Sequence, residues 1–257
     1  MKKLPRAIFV GATDTGVGKT LISGLLVDFL RRRGIDAGYQ KWAATGCEEE
    51  LPEDLATVQA LTGEPPRPGG ADPDLHGITK VVPGPSILTG LDLELAVPYR
   101  FSLPASPHLA ADQEGREIDP ARLLSLFTEA RAAHEVLVVE GVGGMLVPLT
   151  RQLLLIDLVA ELKLPTLLVA RSGLGTINHS LLTLEALRRR DIPVAGLVFS
   201  DEETSPPEVI VNDNRRTIAE LGQTTILGRL PRCPDHPSAR TAFTPIGEKI
   251  SQALLCH

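Results

Sequence analysis

Strand-length apolar runs recur at residues 7–10, 136–139, 166–170, 194–199 and 225–227, each bounded by glycine, proline or charge. Runs this short and this apolar predict strands buried on both faces. Between several of them the apolar spacing changes to that of an amphipathic helix, at residues 19–33, 153–162, 177–190 and 212–221. Strand alternating with helix predicts an α/β fold, a mostly parallel central sheet with helices on both faces, whose ligands gather at the carboxyl ends of the strands. Residues 65–98 break the pattern. They are rich in proline and glycine with little periodicity, which predicts an irregular excursion over the surface rather than a domain boundary.

Composition sets the scale of this picture. The 257 residues, 43% hydrophobic and 23% charged, fit one domain spanning 1–257 with the excursion inside it. A net charge of -6 carries no footprint for nucleic acid or anionic lipid, so small-molecule partners are expected. Met1-Lys2-Lys3 and the apolar run after it resemble a signal peptide only briefly, because Thr13-Asp14 ends the run too soon. The later apolar stretch 153–170 is interrupted by Asp157, Glu161, Lys163 and Pro165, which excludes a membrane span. Cys47, Cys233 and Cys256 lie far apart with no CxxC pair, which favours a reducing cytoplasm over a disulfide framework or a zinc site.

The strongest chemical signal is Val17-Gly18-Lys19-Thr20, which follows the first predicted strand and opens the first predicted helix. Glycines let backbone N–H groups close on phosphate oxygens, and the helix N-terminus adds partial positive charge. Lys19 is placed to bridge the β and γ phosphates and the Thr20 hydroxyl to ligate Mg²⁺. The chain is therefore read as a P-loop NTPase-like protein. Its loop is not of the common length, since Thr13 stands five places before Gly18, where the first glycine belongs.

The segment Phe9-Val10-Gly11-Ala12-Thr13-Asp14-Thr15-Gly16-Val17-Gly18-Lys19-Thr20 resembles the loop of dethiobiotin synthetases, which carry an extra residue and Thr-Asp-Thr before Val-Gly-Lys-Thr. Ala12 stands where that family usually has glycine, and alanine tolerates a positive φ poorly. Further segments resemble the same family in the same order. Gly38 to Gly46 is similar to the substrate-side segment: Lys41 and Thr45 match, Trp42 replaces a proline, and Lys41 falls just past a predicted strand on the ligand side. Asp54 and Glu140 match the metal-side carboxylates, Glu140 closing an apolar strand ahead of Gly141-Val142-Gly143. Tyr99 to His108 resembles a Ser-Pro-His segment that shapes the pocket, with His108 given no catalytic role. Gly175-Thr176-Ile177-Asn178 resembles the helix start that holds the substrate carboxylate across a homodimer interface. Ser200, Asp201 and Pro231 fall in segments that hold the nucleotide base, with Ser200 in place of the usual Asn.

The resemblance implies ATP- and Mg²⁺-dependent conversion of 7,8-diaminononanoate and CO₂ to dethiobiotin, through a carbamate and a carbamic-phosphoric anhydride. It implies catalytic roles for Lys41, Lys19 and Thr15 and phosphate binding by Gly16, Val17, Gly18, Lys19, Thr20 and Leu21. Thr20, Asp54 and Glu140 would hold the metal, and Thr45 the diamine side. Two other readings compete. A switch ATPase related to the partitioning and cell-division positioning proteins carries a second lysine where this chain has Asp14. The synthetase half of a corrinoid amidotransferase needs a glutaminase domain, for which too little chain follows Asp201.

Overall fold

The computed structural model describes residues 6–47, 51–63, 90–201 and 206–255. In chain order it contains β1 (Ala7–Ala12), α1 (Lys19–Arg32), β2 (Ala37–Lys41), β3 (Ala43–Thr45), α2 (Glu53–Thr62), α3 (Gly90–Ala96), β4 (Tyr99–Phe101), α4 (Pro107–Gln113) and α5 (Pro120–Ala133). It continues with β5 (Val136–Glu140), α6 (Leu155–Glu161), β6 (Thr166–Arg171), α7 (Thr176–Arg188), β7 (Val194–Ser200), α8 (Glu208–Leu221), β8 (Ile226–Leu230) and α9 (His236–Leu254). Six strands form one sheet in the order β2-β5-β1-β6-β7-β8, with every neighbouring pair parallel. β3 and β4 pair separately, also in parallel.

Alternation along the strands explains why helices cover both faces. Successive side chains of a strand point to opposite sides. Ile8 and Val10 of β1 and Val136 and Val138 of β5 enter one core with Ile22, Leu25 and Leu26 of α1 and Phe243 and Ile246 of α9. Phe9, Leu137 and Val139 enter the opposite core with Leu123 and Phe127 of α5 and Ile156 and Val159 of α6. Leu168, Leu197 and Phe199 extend that second face under Leu184 of α7 and Ile218 of α8.

Chain direction then sets the site. From β1 the sheet grows outward to β5 and β2 on one side and to β6, β7 and β8 on the other. β1 is therefore the switch point, where two crossovers diverge and leave a crevice at the carboxyl end. The five predicted strands and four predicted helices all occur, with shifted ends. The largest shift is in α8, which starts at Glu208 directly after Pro207 rather than at 212. The last part of the predicted excursion is not irregular: residues 90–96 form α3. Residues 65–89, with Asp72, Asp74 and His76, and also Cys256, lie outside the described residues.

Candidate active site

The phosphate loop runs from the end of β1 into α1. Gly16 and Gly18 have φ of 74° and 89°, left-handed values that a side chain would strain. A Cβ on Gly18 would also collide with Ser200 Oγ, so the end of β7 presses directly on the loop. Ala12 needs no such freedom. It ends β1 as buried strand, and among the described residues the only non-glycine positive φ values belong to Lys163, Asp191 and Gln223. Asp14 Oδ1 accepts the Thr15 N–H at 2.8 Å, and its main-chain oxygen accepts Lys19 Nζ at 3.1 Å. Burial lowers the Lys19 pKa to about 8, against the attraction of Glu140 and with the help of nearby Lys41.

Four side chains from four elements meet beside this loop. Lys41, the last residue of β2, lies opposite Glu140, the last residue of β5. Its Nζ is 2.9 Å from Glu140 Oε1 and 2.7 Å from Asp54 Oδ2 in the first turn of α2. Thr20 Oγ1 is 2.5 Å from Asp54 Oδ1 and 2.8 Å from Glu140 Oε1. A hydroxyl has one proton, so it donates to one of these carboxylates at a time. Tyr39, two residues before Lys41 and on the same face of β2, donates its O–H to Glu140 Oε2 at 2.8 Å. Glu140 is fully buried, whereas Asp54 remains partly open at the mouth.

Electrostatics tie the cluster together. Burial is the largest single influence on Lys41 and opposes its charge, yet Glu140 and Asp54 together hold its pKa above the ordinary value. Burial likewise disfavours the Asp54 carboxylate, but Lys41 and Thr20 outweigh it and lower the pKa. Burial, then the Glu140 charge, pushes the Tyr39 phenol well up. Two carboxylates and a hydroxyl within hydrogen-bond reach of one another are a hard oxygen donor set. Such a set fits Mg²⁺, which takes one or two carboxylates and keeps its other places for phosphate oxygens and water.

The other expected residues fall into four groups. The turn after β5 packs on the phosphate loop: Gly143 has φ 62°, and a Cβ there would lie 3.4 Å from Thr15 Oγ1. Gly141 leaves room for the Phe9 ring, and Val142 is buried. The substrate-side segment continues from Lys41 through Trp42 into β3, where Thr45 pairs with Phe101 of β4. Trp42 fills the second core against Phe9 and Phe127, at ring distances of 5.2 and 6.3 Å, and donates to Gln40 Oε1. α4 packs on both β3 and β4, which brings the Ser106-Pro107-His108 turn to the same side. His108 Nδ1 is buried without a hydrogen-bond partner among the described residues.

On the far side of the loop, Ser200 ends β7, Asp201 comes directly after it, and Pro231 follows β8. The Asp201 carboxylate is already engaged by Arg229, at 2.7 to 3.0 Å, and by the Ser172 hydroxyl at 2.5 Å. The α7 start stands apart from Lys41. β6 is three places from β2 in the sheet, roughly 14 Å at about 4.8 Å per strand. There Gly175 has φ 89°, Thr176 is buried and Ile177 half-buried, Asn178 is exposed, and Leu174 is 91% exposed.

Sequence reasoning missed Tyr39 as the group that fixes Glu140, and Arg229 as the partner of Asp201. The signal for Tyr39 was its spacing of two from Lys41. Arg229 had no local signal, because its partner comes from the neighbouring strand.

A family model described as an AAA domain matches residues 88–239. The chain is 40% identical over 231 residues to the ATP-dependent dethiobiotin synthetase of Anaeromyxobacter dehalogenans, covering 90% of this chain and 92% of that protein. It is 39% identical over 248 residues to the protein of the same name from Agrobacterium fabrum, covering 96% and 92%. Among solved structures, the cell division ATPase MinD of Pyrococcus furiosus has a TM-score of 0.56 at 14% identity, covering 96% of this chain and 99% of that one. The MinC:MinD cell division complex of Aquifex aeolicus has a TM-score of 0.53 at 15% identity, covering 97% and 92%. These two likenesses show a shared fold.

Proposed function

The chain belongs to the ATP-dependent dethiobiotin synthetase family, and from that premise we propose that it converts 7,8-diaminononanoate, CO₂ and ATP to dethiobiotin, ADP and phosphate, a step of biotin synthesis. One amine loses its proton and forms an N–C bond to CO₂, giving a carbamate. The γ-phosphoryl group leaves ADP for a carbamate oxygen. The second amine then attacks the carbonyl carbon, closes the cyclic urea, and expels phosphate as its own proton departs.

The observation that carries this reading is the Lys41–Glu140–Asp54–Thr20 cluster beside the phosphate loop. Carbamate and triphosphate are both anionic, so the main catalytic task is to hold like charges in line. Lys41 would lie between carbamate and γ-phosphate, with Lys19, Thr15 and the amides of Gly16 to Leu21 steadying the phosphoryl group. Thr20, Asp54 and Glu140 would hold Mg²⁺, which when bound draws charge from the phosphate oxygens. Gly141, Val142 and Gly143 would line the γ-phosphate side, and Ser200, Asp201 and Pro231 the base. Thr45 would meet the diamine.

Gly175, Thr176, Ile177 and Asn178 would hold the substrate carboxylate in the site of a second copy, which makes the working unit a homodimer. Three observations support this: their distance from Lys41, free N–H groups at a helix start, and the exposed Leu174 and Leu182 near them in sequence. Two free thiols, Cys47 and Cys233, support a cytoplasmic setting. Among the described residues no helix is long and apolar enough to cross a membrane.

The test is phosphate release from ATP and Mg²⁺ with and without the diamine and bicarbonate. Release that depends on both substrates is expected. Release indifferent to the diamine would favour a switch ATPase instead.

A further inference from the structure

Asp14 is a negative charge inside a loop that receives a polyanion. Its Oδ1 accepts the Thr15 N–H and its carbonyl accepts Lys19 Nζ, while its Oδ2 lies 3.3 Å from Arg171 Nη2. Arg171 is the last residue of β6 and reaches the loop from the strand beside β1, where Ala12 lies opposite Val169 and Thr13 N–H donates to Val169 O at 3.1 Å. Both side chains are partly exposed, at 31% and 47%, so as an ion pair they contribute little to overall stability. Their consequence is local charge.

We infer that Arg171 is a positioning residue for the phosphate loop. It neutralises and orients Asp14, so that the loop presents amides and Lys19 to an incoming triphosphate rather than a bare carboxylate. Without it, the Asp14 charge faces the phosphates uncompensated. The inference rests on the nucleotide-binding part of the function proposed above and not on the diamine chemistry.

The experiment is a titration of wild-type protein, Arg171→Gln, Arg171→Lys, Asp14→Asn and the Asp14→Asn/Arg171→Gln double variant with a non-hydrolysable ATP analogue and Mg²⁺, at low and high salt. Arg171→Gln is expected to weaken binding roughly five- to ten-fold at low salt, the scale of one like charge at close range in a partly solvated site. The deficit should shrink at about 0.5 M salt, and Arg171→Lys should recover part of the affinity. Adding Asp14→Asn should restore most of what Arg171→Gln loses, because Asn keeps the Oδ1 acceptor and drops the charge. Wild-type affinity in Arg171→Gln, a double variant as weak as the single, or a loss indifferent to salt would each overturn the inference. Normal analogue binding with no diamine-dependent turnover would sink the proposed function instead and leave this inference standing.

Discussion

Raising the pH should uncouple nucleotide binding from the free protein's stability, because Lys19 sits in the fold with its pKa lowered from 10.5 to about 8. Burial is the main cause: the ammonium is nearly enclosed and shares its surroundings with the Lys41 charge. Phosphate oxygens favour the ammonium, so a bound triphosphate holds it protonated. At pH 7 about a tenth of the free protein has neutral Lys19, at pH 8 about half, and at pH 9 about nine-tenths. Binding must therefore take up roughly 0.1, 0.5 and 0.9 proton at those pH values, and apparent affinity at pH 9 should be about ten-fold below its low-pH plateau.

The sign for the free protein is opposite. A lysine with a lowered folded pKa costs stability while charged, on the order of 3 kcal/mol here, and that cost is relieved as pH rises from about 8 towards 10.5. Calorimetric titration with an ATP analogue and Mg²⁺, repeated in buffers of different ionisation enthalpy, reads the proton number directly. An uptake near zero at pH 9, with affinity flat from pH 7 to 9, would refute the reasoning.

Other predictions concern the cluster and its support. Lys41→Met should leave Glu140 buried without its cation and destabilise the fold by about 3 to 5 kcal/mol in urea unfolding. The same variant should cut turnover roughly 10²- to 10³-fold while nucleotide still binds, and near-normal turnover would exclude Lys41 from the reaction. Trp42→Ala should cost about 3 to 5 kcal/mol by emptying the space between Phe9 and Phe127, and a shift below 1 kcal/mol would mean that the second core collapses to fill it. Asp54 contributes stability above the usual carboxylate range that is lost as pH falls through its lowered pKa, so Asp54→Asn should flatten the acid limb of the stability profile.

Local patterning carried the buried parallel strands, because β1, β5, β6 and β7 are apolar on both faces and need no neighbour to be read. β2 was harder: Gly38, Tyr39, Gln40 and Lys41 are polar or small, and their burial comes from α1, α3 and α5 packing against the strand. α5 and α9 went unread as helices. Asp119 and Asp235 cap them, but polar residues interrupt the apolar stripe of α5 and Pro245 lies inside α9. At the site, Lys19, Thr20 and Glu140 were legible from strand ends and glycines. The convergence of Asp54, which sits 34 residues from Thr20, and the Asp201–Arg229 pair depend on loops and strand order that no local window contains.

The most direct test of the central claim is the product itself. The protein is incubated with 7,8-diaminononanoate, ¹³C-bicarbonate, Mg²⁺ and ATP, and the small molecules are analysed by mass spectrometry. The account predicts a cyclic urea that carries the labelled carbon as its carbonyl, formed in step with ADP and phosphate. Unchanged diamine beside accumulating phosphate would contradict it.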